Sequence, residues 1–463
     1  MDMSRQQNES IKAQVLRHDT NVPRYTSYPT APHFQDSPPN ESYTEWLRAI
    51  PENGGTLSLY LHIPFCPSLC WYCGCNTKIT RRYEPVMRYI DYLIAEIALT
   101  ARTMHETMTV SHIHFGGGSP TILKPEDFTR IIQTIHTYYR VTDTTEIAVE
   151  VDPRAVDEHL PRVYAANGVN RISLGVQDFD EHVLAAINRH QPPELTRRAI
   201  ALFRAEGISQ FNFDMLYGLP KQTLDSMAQT INTVITLAPD RICLYGYAHV
   251  PWKMTHMRMI PEDALPDTQM RYDLNALGHD MLRKAGYDVI GIDHFARTDD
   301  SLALAQRNNR IYRNFQGYTD DDAAHLIGVG LTAISGLAHG YSQNAKDMGH
   351  YMRCLDAGEL PVVSHHALSA ADRLRGDVIE KIMCNLEADI GAICQNHGYD
   401  KDCLDADFAK LKPLYADGLL EFAGKRHICI PDISRPITRV VAAAFDAYLN
   451  SGAETRPQHA RAV

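Results

Sequence analysis

Short runs rich in β-branched and aromatic residues alternate with longer segments of helical apolar spacing, six times in succession. The six runs occupy residues 57–64, 111–118, 146–152, 171–177, 211–218 and 241–248. Strands that alternate regularly with helices are typical of βαβ units and of a parallel sheet. The pattern predicts an α/β fold, an incomplete TIM-like barrel of the (β/α)6 type. A flat doubly wound sheet fits the same alternation and stays the alternative.

Polar residues follow the carboxyl end of each predicted strand. In chain order they are a cysteine-rich loop, the segment 116–120 (GGGSP), Glu150 with Asp152, Gln177, Asp214, and the segment 247–249 (YAH). A lone Asp or Ser in such a place is more often a helix cap, but six polar strand ends are not explained in that way. Because barrel active sites lie at this face, the sequence predicts one site lined by all six strand ends.

The segments that flank the barrel differ from it in character. Residues 1–54 carry two proline-rich patches, at 23–32 and 36–41, and are expected to form an N-terminal arm. Residues 55–365 would form the barrel and its extension. Apolar residues at helical spacing after residue 377 predict that residues 366–463 form a small, mainly helical C-terminal domain of winged-helix type. The tail from residue 451 onward is expected to be disordered.

Charge and composition exclude several classes of protein. Hydrophobic residues make up 44% of the chain and charged residues 22%, which is typical of a soluble globular protein. The net charge of −11 argues against a nucleic-acid partner, because neutralising phosphates requires a basic face. No stretch has the apolar length of a signal peptide core or a membrane span. We therefore expect a cytoplasmic protein, a monomer, with no membrane partner.

The chain has ten cysteines, too few for a disulfide scaffold in 463 residues. Four of them, Cys66, Cys70, Cys73 and Cys75, fall within ten residues, and this crowding requires a chemical reason. The others are scattered and are expected to be small, buried core residues: Cys243, Cys354, Cys384, Cys394, Cys403 and Cys429.

The spacing of Cys66, Cys70 and Cys73 lets one short loop bring three thiolates to one face of a small inorganic cluster. A [4Fe-4S] cubane normally has four thiolate ligands, so three leave one iron open. The open iron can be chelated by the amino and carboxylate groups of S-adenosylmethionine (SAM), whose carbon–sulfur bond then breaks on reduction to give a 5′-deoxyadenosyl radical. A zinc site, which normally uses two separated ligand pairs, and a chance cluster of core cysteines are the alternatives.

Cys75 lies just beyond this triad. It could be a fourth ligand that closes the cluster to SAM, or a free thiol at the active site. We favour the free thiol, because a glycine loop and several carboxylates at the strand ends indicate a small-molecule cofactor beside the cluster. Cys75 is therefore a predicted catalytic residue.

The segment 62–75 (HIPFCPSLCWYCGC) resembles the cluster motif of the oxygen-independent coproporphyrinogen III oxidases, a family of radical SAM enzymes. Other motifs along nearly the whole chain resemble the same family. They lie at 23–30 (PRYTSYPT), 116–121 (GGGSPT), 150–154 (EVDPR), 175–180 (GVQDFD), 217–223 (YGLPKQT), 293–297 (DHFAR) and 313–319 (RNFQGYT).

The resemblance implies a barrel of the radical SAM type and oxidative decarboxylation of two propionates of coproporphyrinogen III to the vinyl groups of protoporphyrinogen IX. It implies a [4Fe-4S] cluster held by Cys66, Cys70 and Cys73, two SAM molecules in the site, and an electron donor and acceptor that the sequence does not identify. Carried over by motif, the SAM contacts are Tyr60, Tyr72, Gly117, Gly118, Ser119, Glu150, Gln177, Arg189, Asp214, Ala248 and Ile334.

A substrate with four propionates requires positive side chains at the barrel mouth, because buried carboxylates without counter-charges are costly. Arg24, Arg297 and Arg313 lie in aromatic-rich motifs outside the six strands and are the predicted substrate contacts. Each could equally be a surface arginine stacked on an aromatic ring. Two other functions remain open: a haem-binding chaperone related to this family, and a radical methyltransferase or haem-cleaving relative.

Overall fold

The computed structural model describes residues 3–35, 39–50, 55–104, 107–449 and 461–462. The N-terminal arm contributes helices α1 (Met3–Arg17) and α2 (Pro39–Arg48). Residues 36–38 of the second proline-rich patch lie outside the described residues, as does most of the C-terminal tail.

Six parallel strands follow the arm. They are β1 (Thr56–Ile63), β2 (Thr109–Gly117), β3 (Arg140–Val151), β4 (Arg171–Gln177), β5 (Gln210–Tyr217) and β6 (Arg241–Gly246). Each pairs in parallel with the next one in the chain. The strand order therefore never reverses, which confirms the barrel and excludes the doubly wound sheet. Strand β3 begins six residues earlier than predicted, because the threonine-rich segment 140–145 is β-branched and continues the strand.

Helices cover the outer side of these strands, as the alternation predicts. They are α3 (Glu84–Thr103), α4 (Pro125–Tyr138), α5 (Leu160–Ala166), α6 (Glu181–Ala186), α7 (Pro193–Ala205) and α8 (Leu224–Leu237). Their apolar faces and the strands share one continuous core, which also takes up Tyr43 and Leu47 of α2. Burial of this apolar surface holds the strand ends in register.

Further strands widen the sheet at both edges. Strands β7 (Tyr287–Ile290) and β8 (His294–Arg297) add to β6, while β9 (His325–Val329), β10 (Ile334–Leu337), β11 (Gly340–Asn344) and β12 (Val362–Ala367) add to β1. Helices α9 (Thr268–Lys284), α10 (Ser301–Arg307) and α11 (Met348–Asp356) connect them. Only β9 continues the parallel run, and β8 is antiparallel to β6. The sheet of twelve strands curls around the cavity described below without closing.

The C-terminal region is mainly helical, as predicted. Its helices are α12 (Ala370–Asn385), α13 (Ile390–Asn396), α14 (Asp405–Phe408), α15 (Lys412–Ala416) and α16 (Thr438–Ala443). Three short antiparallel strands, Glu387–Asp389, Glu421–Phe422 and His427–Cys429, form what we call the C-terminal sheet. Strand β12 runs through the predicted boundary at residue 365, and the division into domains stays a prediction. No helix in the described part of the chain is long and apolar enough to cross a membrane.

The N-terminal arm packs on the C-terminal region. Val15, Tyr25 and Tyr28 belong to the apolar core formed by the C-terminal helices, not to the core of the barrel. Residues 461–462 also return to the arm, where the Ala462 N–H donates to the Thr20 carbonyl over 3.0 Å. The prediction of a disordered tail is therefore wrong for these two residues, because their backbone pairs with the arm.

Glu96 on α3 anchors the turn between β9 and β10. Its buried carboxylate accepts hydrogen bonds from the Gly330 N–H, the Asn344 amide and the Tyr351 hydroxyl. Burial raises the pKa of Glu96 to about 7, although these three donors oppose the rise. The turn it holds leads into Thr332 and Ile334, which line the cavity.

This raised pKa predicts a pH-dependent contribution to stability. Between the ordinary carboxyl pKa of 4.5 and about 7, the folded chain binds a proton at Glu96 that the unfolded chain releases. The free energy of unfolding should therefore fall as the pH rises through this window, by about 1.4 kcal/mol for each unit by which the two pKa values differ. Anaerobic thermal unfolding at a series of pH values should show this slope in the native chain. The same slope in Glu96→Gln would assign it to another group.

Candidate active site

A cavity of about 730 Å³ opens where the parallel strands end. It is lined by the cysteine loop after β1, the glycine segment after β2 and side chains at the carboxyl ends of β3, β4 and β5. Tyr245 of β6, two arm residues (Arg24 and Thr26), Asp293, residues of the segment 313–317 and residues of the segment 326–334 also line it. The strand ends thus meet around one space, as predicted, except that β6 contributes Tyr245 and not the predicted segment 247–249.

The cysteine loop is fixed on both sides by backbone pairing. Phe65–Cys66 pairs in parallel with Lys78–Ile79, and the Cys73 N–H donates to the Cys70 carbonyl over 3.2 Å. The His256 ring lies 2.7 Å from the Cys73 carbonyl oxygen. These contacts hold all three predicted ligands, Cys66, Cys70 and Cys73, at the cavity wall.

Two guanidinium groups lie beside the Cys70 sulfur. Arg189 Nη1 is 3.6 Å from it and Arg154 Nη2 is 3.8 Å from it. Asp152 pairs with both arginines, at 3.5 Å from Arg189 and 2.6 Å from Arg154. At Cys66, the Thr77 hydroxyl donates to the sulfur over 3.3 Å. Positive charge and hydrogen-bond donors around sulfur stabilise thiolates, which is the form that binds iron.

The arrangement of the three thiols favours a cluster over a single zinc ion. A structural zinc site has four ligands, usually as two separated pairs, whereas Cys66, Cys70 and Cys73 lie in one short loop. Three thiols on one wall of a large cavity fit a polynuclear iron–sulfur cluster whose fourth iron faces the cavity.

Cys75 also lines the cavity and is exposed to it. A hydrogen bond from the Cys75 thiol to the Cys73 sulfur lowers the pKa of Cys73 and raises the pKa of Cys75. The assignment of Cys75 as a free, catalytic thiol stays a prediction.

We predict that Cys75→Ser retains the cluster and still binds SAM, while turnover of substrate falls. The reason is that the triad is complete without Cys75, whereas its thiol faces the space where a substrate would lie. Iron content and SAM binding of the purified variant measure the first part, and a turnover assay the second. Loss of half or more of the iron would show instead that Cys75 holds the cluster.

Most of the residues predicted to contact SAM lie around the same cavity. The structure brings together Tyr60, Tyr72, Gly117, Gly118, Ser119, Glu150, Gln177, Arg189, Asp214 and Ile334. Ala248 is the exception, because it follows the end of β6 and does not line the cavity. The roles of all these residues stay predictions.

The glycine segment places backbone where no side chain would fit. Gly117 has a φ of +110°, and a Cβ there would lie 2.6 Å from the His62 ring. A Cβ on Gly118 would lie 2.6 Å from the Phe65 carbonyl oxygen. Glycine at both positions lets a ligand approach the main chain closely.

Glu150 and Asp214, on β3 and β5 with β4 between them, are held differently. Glu150 accepts a hydrogen bond from the Gly117 N–H over 3.3 Å and lies 3.1 Å from the His114 ring. Asp214 accepts from the Ser173 hydroxyl over 2.8 Å and from the Asn212 amide over 3.1 Å. Burial and the nearby Glu150 raise the pKa of Asp214. The carboxyl group of Asp214 is thus biased towards its protonated form.

Arg24 and Arg313 reach the cavity from outside the barrel strands. The Arg24 guanidinium donates to the Gly246 carbonyl over 3.2 Å, and Arg313 donates to the Arg24 carbonyl over 3.2 Å. Arg313 Nη1 also lies 3.8 Å from Asp293. Burial acts to raise the pKa of Asp293, but Arg313 and His294 together lower it to about 2.

The structure does not bring Arg297 to the cavity. Its N–H donates to the carbonyl of Asp240, which precedes β6, so it lies at the opposite end of the sheet. Its half-exposed side chain pairs with Asp299 at 3.3 Å. We therefore leave Arg297 out of the substrate contacts proposed below.

Sequence reasoning missed three residues of the site region. Asp293 and Arg154 lie in motifs that were recognised, DHFAR and EVDPR, but were given no role. Arg439 on α16 carried no motif signal; it donates to the Val22 carbonyl over 3.2 Å and to the Ala462 carbonyl over 2.9 Å. Burial and the nearby Arg24 lower the pKa of Arg439 to about 10. The hydrogen bond from Arg439 to Val22 holds the arm segment that carries Arg24.

An open parallel barrel with a three-cysteine loop after its first strand defines a radical SAM protein, and the sequence matches the Radical SAM superfamily over residues 60–234. An oxygen-independent coproporphyrinogen III oxidase of Bradyrhizobium diazoefficiens is 45% identical over 442 residues, covering 96% of this chain and 97% of that protein. The chain belongs to the family of oxygen-independent coproporphyrinogen III oxidases.

Two further relatives agree with this assignment. The oxygen-independent coproporphyrinogen III oxidase of Paracoccus denitrificans is 40% identical over 430 residues, covering 93% of this chain and 95% of that protein. The solved structure of coproporphyrinogen III oxidase from Escherichia coli, described as a radical SAM enzyme, has a TM-score of 0.87 and 36% identity. That similarity covers 93% of this chain and 100% of the solved one.

Proposed function

We propose that the chain catalyses the oxidative decarboxylation of two propionates of coproporphyrinogen III to vinyl groups, which yields protoporphyrinogen IX in anaerobic haem biosynthesis. One observation carries the proposal: a single cavity joins the three-cysteine loop to Arg24 and Arg313. Curated relatives that match over most of the chain have the same activity in their names.

Cys66, Cys70 and Cys73 would hold a [4Fe-4S] cluster. When bound, the cluster and SAM supply a reducing electron and a reactive carbon radical that abstracts hydrogen. The chain itself positions the cluster and SAM and shields the radical. Arg189 and Arg154 place positive charge beside the Cys70 sulfur, and the glycine segment leaves room for a ligand at the main chain.

The contacts to SAM are the cavity residues given above. Glu150 offers a carboxylate, which is a suitable acceptor for ribose hydroxyl groups, and Arg189 can pair with a carboxylate. We propose two SAM molecules in the site. This number is what the resemblance to the oxygen-independent coproporphyrinogen III oxidases implies. The cavity, of about 730 Å³, has the size of a small-molecule site and is open to solvent.

The substrate's propionates would pair with Arg24 and Arg313. Arg313 is oriented by Asp293 and stacks over the Tyr318 ring, with 4.4 Å between the guanidinium carbon and the ring centre. Both contacts hold the guanidinium in place before substrate arrives, which reduces the entropy cost of binding. The hydrogen to be abstracted is on the propionate carbon next to the pyrrole ring, so placement of the carboxylate fixes the position of that carbon.

The proposal includes the setting of the reaction. Each propionate loses CO2 and one electron after hydrogen abstraction, so the enzyme requires an acceptor for that electron as well as a donor for SAM cleavage. We propose that a monomer carries out the reaction in the cytoplasm with a separate electron donor and acceptor.

The haem-binding chaperone is the second candidate function. It requires a site for haem but no turnover of coproporphyrinogen. Against it stands the arm, whose Arg24 and Thr26 line the cavity, since the chaperones related to this family lack the PRYTSYPT segment.

Strictly anaerobic incubation with SAM, a reductant and coproporphyrinogen III tests the proposal through its products. We expect protoporphyrinogen IX and CO2 to form. Tight haem binding without turnover would favour the chaperone, and a methylated or ring-opened product would favour a methyltransferase or a haem-cleaving enzyme.

A further inference from the structure

The outward face of the C-terminal sheet carries four side chains with metal-ligating atoms. Along the strand His427–Cys429 the middle residue, Ile428, is buried, so His427 and Cys429 project from the opposite face. Cys429 is half-buried, where the sequence predicted a core residue. Glu387 and Glu421 are its cross-strand partners on either side. Residues directly opposite each other in an antiparallel pair share a face, so all four side chains lie together.

The ligand atoms of three of these side chains lie close enough together to bind one ion. One ligand atom each from Glu387, His427 and Cys429 lies within 4.8 Å of the other two. His427 Nε2 is 2.6 Å from Glu387 Oε1.

The local charge also favours a cation. Glu387, Glu421 and Asp389 are all exposed on the three strands. Arg426, next to His427, pairs with Asp405 and therefore does not neutralise this face. Three carboxylates therefore surround the ring nitrogens of His427 and the thiol of Cys429 on these strands.

We propose that Glu387, His427 and Cys429 form a binding site for a divalent metal ion of the zinc class, with Glu421 as the fourth ligand. A set of one thiolate, one imidazole and carboxylate oxygens selects zinc over magnesium or calcium, which prefer oxygen alone. Binding would replace the proton shared by His427 and Glu387 and release the Cys429 thiol proton. The ion would tie together all three strands of the C-terminal sheet. This site is independent of the iron–sulfur cluster and of the proposed reaction.

The test uses anaerobically reconstituted, chelator-washed holoenzyme and zinc alone, with bound zinc measured by equilibrium dialysis and elemental analysis. We expect one zinc per chain in addition to the cluster iron. His427→Ala and Cys429→Ser should each weaken zinc binding by at least about 10- to 100-fold. Loss of a residue that only hydrogen-bonds to a metal ligand already weakens binding by that factor, and these two variants remove a ligand itself. Glu421→Gln should weaken it less. With cobalt in place of zinc, a thiolate-to-metal charge-transfer band should appear in the native protein and vanish in Cys429→Ser.

Cys354→Ser is the matched control, because Cys354 is another half-buried cysteine, on α11 of the barrel. It should bind zinc and cobalt as the native chain does. Iron content and SAM cleavage should be unchanged in every variant, which also verifies that each is folded. A native holoenzyme that takes up no zinc, or zinc binding that survives both His427→Ala and Cys429→Ser, would overturn the assignment.

Discussion

Replacement of Cys66, Cys70 or Cys73 by Ser is expected to abolish both the brown colour of the reconstituted protein and its cleavage of SAM. The native chain should hold about four iron and four sulfide when reconstituted, as one cubane requires. Each of the three sulfurs lies at the cavity wall, and a serine hydroxyl does not replace a thiolate as an iron ligand. Iron and sulfide analysis together with an assay for 5′-deoxyadenosine measures both losses.

Cys403→Ser controls for the loss of a cysteine as such. Cys403 is exposed in the C-terminal region, and its variant should keep the full cluster and SAM cleavage. A variant of Cys66, Cys70 or Cys73 that retains a complete, redox-active cluster would refute the ligand assignment.

Arg24→Ala and Arg313→Ala should lower turnover of coproporphyrinogen sharply while the cluster and SAM affinity stay intact. Each lost contact to a buried carboxylate is expected to cost on the order of 2–5 kcal/mol in binding. The loss should appear mainly at low substrate concentration, as an increase in KM. SAM cleavage without substrate turnover should persist, because the cysteine loop is on another wall of the cavity.

Arg297→Ala is the matched control for these two variants. Arg297 lies in the same kind of aromatic-rich motif but at the opposite end of the sheet, so its variant should turn over substrate normally. Because Arg313 is buried beside Asp293, Arg313→Lys provides a second variant that keeps the charge and should lose less. Normal turnover at low substrate concentration in both alanine variants would show that the propionates are bound elsewhere.

The barrel and the cysteine loop could be predicted because their signals are local. Strand and helix periods are read within one segment, and the three cysteines are close in sequence, so neither required knowledge of long-range contacts. The carboxyl ends of parallel strands meet by topology, which is why Glu150, Gln177 and Asp214 were correctly expected at one cavity.

The position of Arg297 could not be predicted, because it depends on strand direction. Strand β8 is antiparallel to β6, so the motif DHFAR begins at the cavity with Asp293 and ends at Arg297 on the far side. A motif does not state which of its ends faces the site. Arg439 was missed because its role depends on a long-range contact. It donates to the carbonyl of Val22 in the arm, which is 417 residues away in sequence.

Deuterium placed on the propionate carbons next to the pyrrole rings of coproporphyrinogen III tests the central claim most directly. After anaerobic turnover, mass spectrometry should find that deuterium in 5′-deoxyadenosine, together with protoporphyrinogen IX. That result would show that the cavity places these carbons for hydrogen abstraction. Formation of 5′-deoxyadenosine without the label, while coproporphyrinogen III is consumed, would contradict the account.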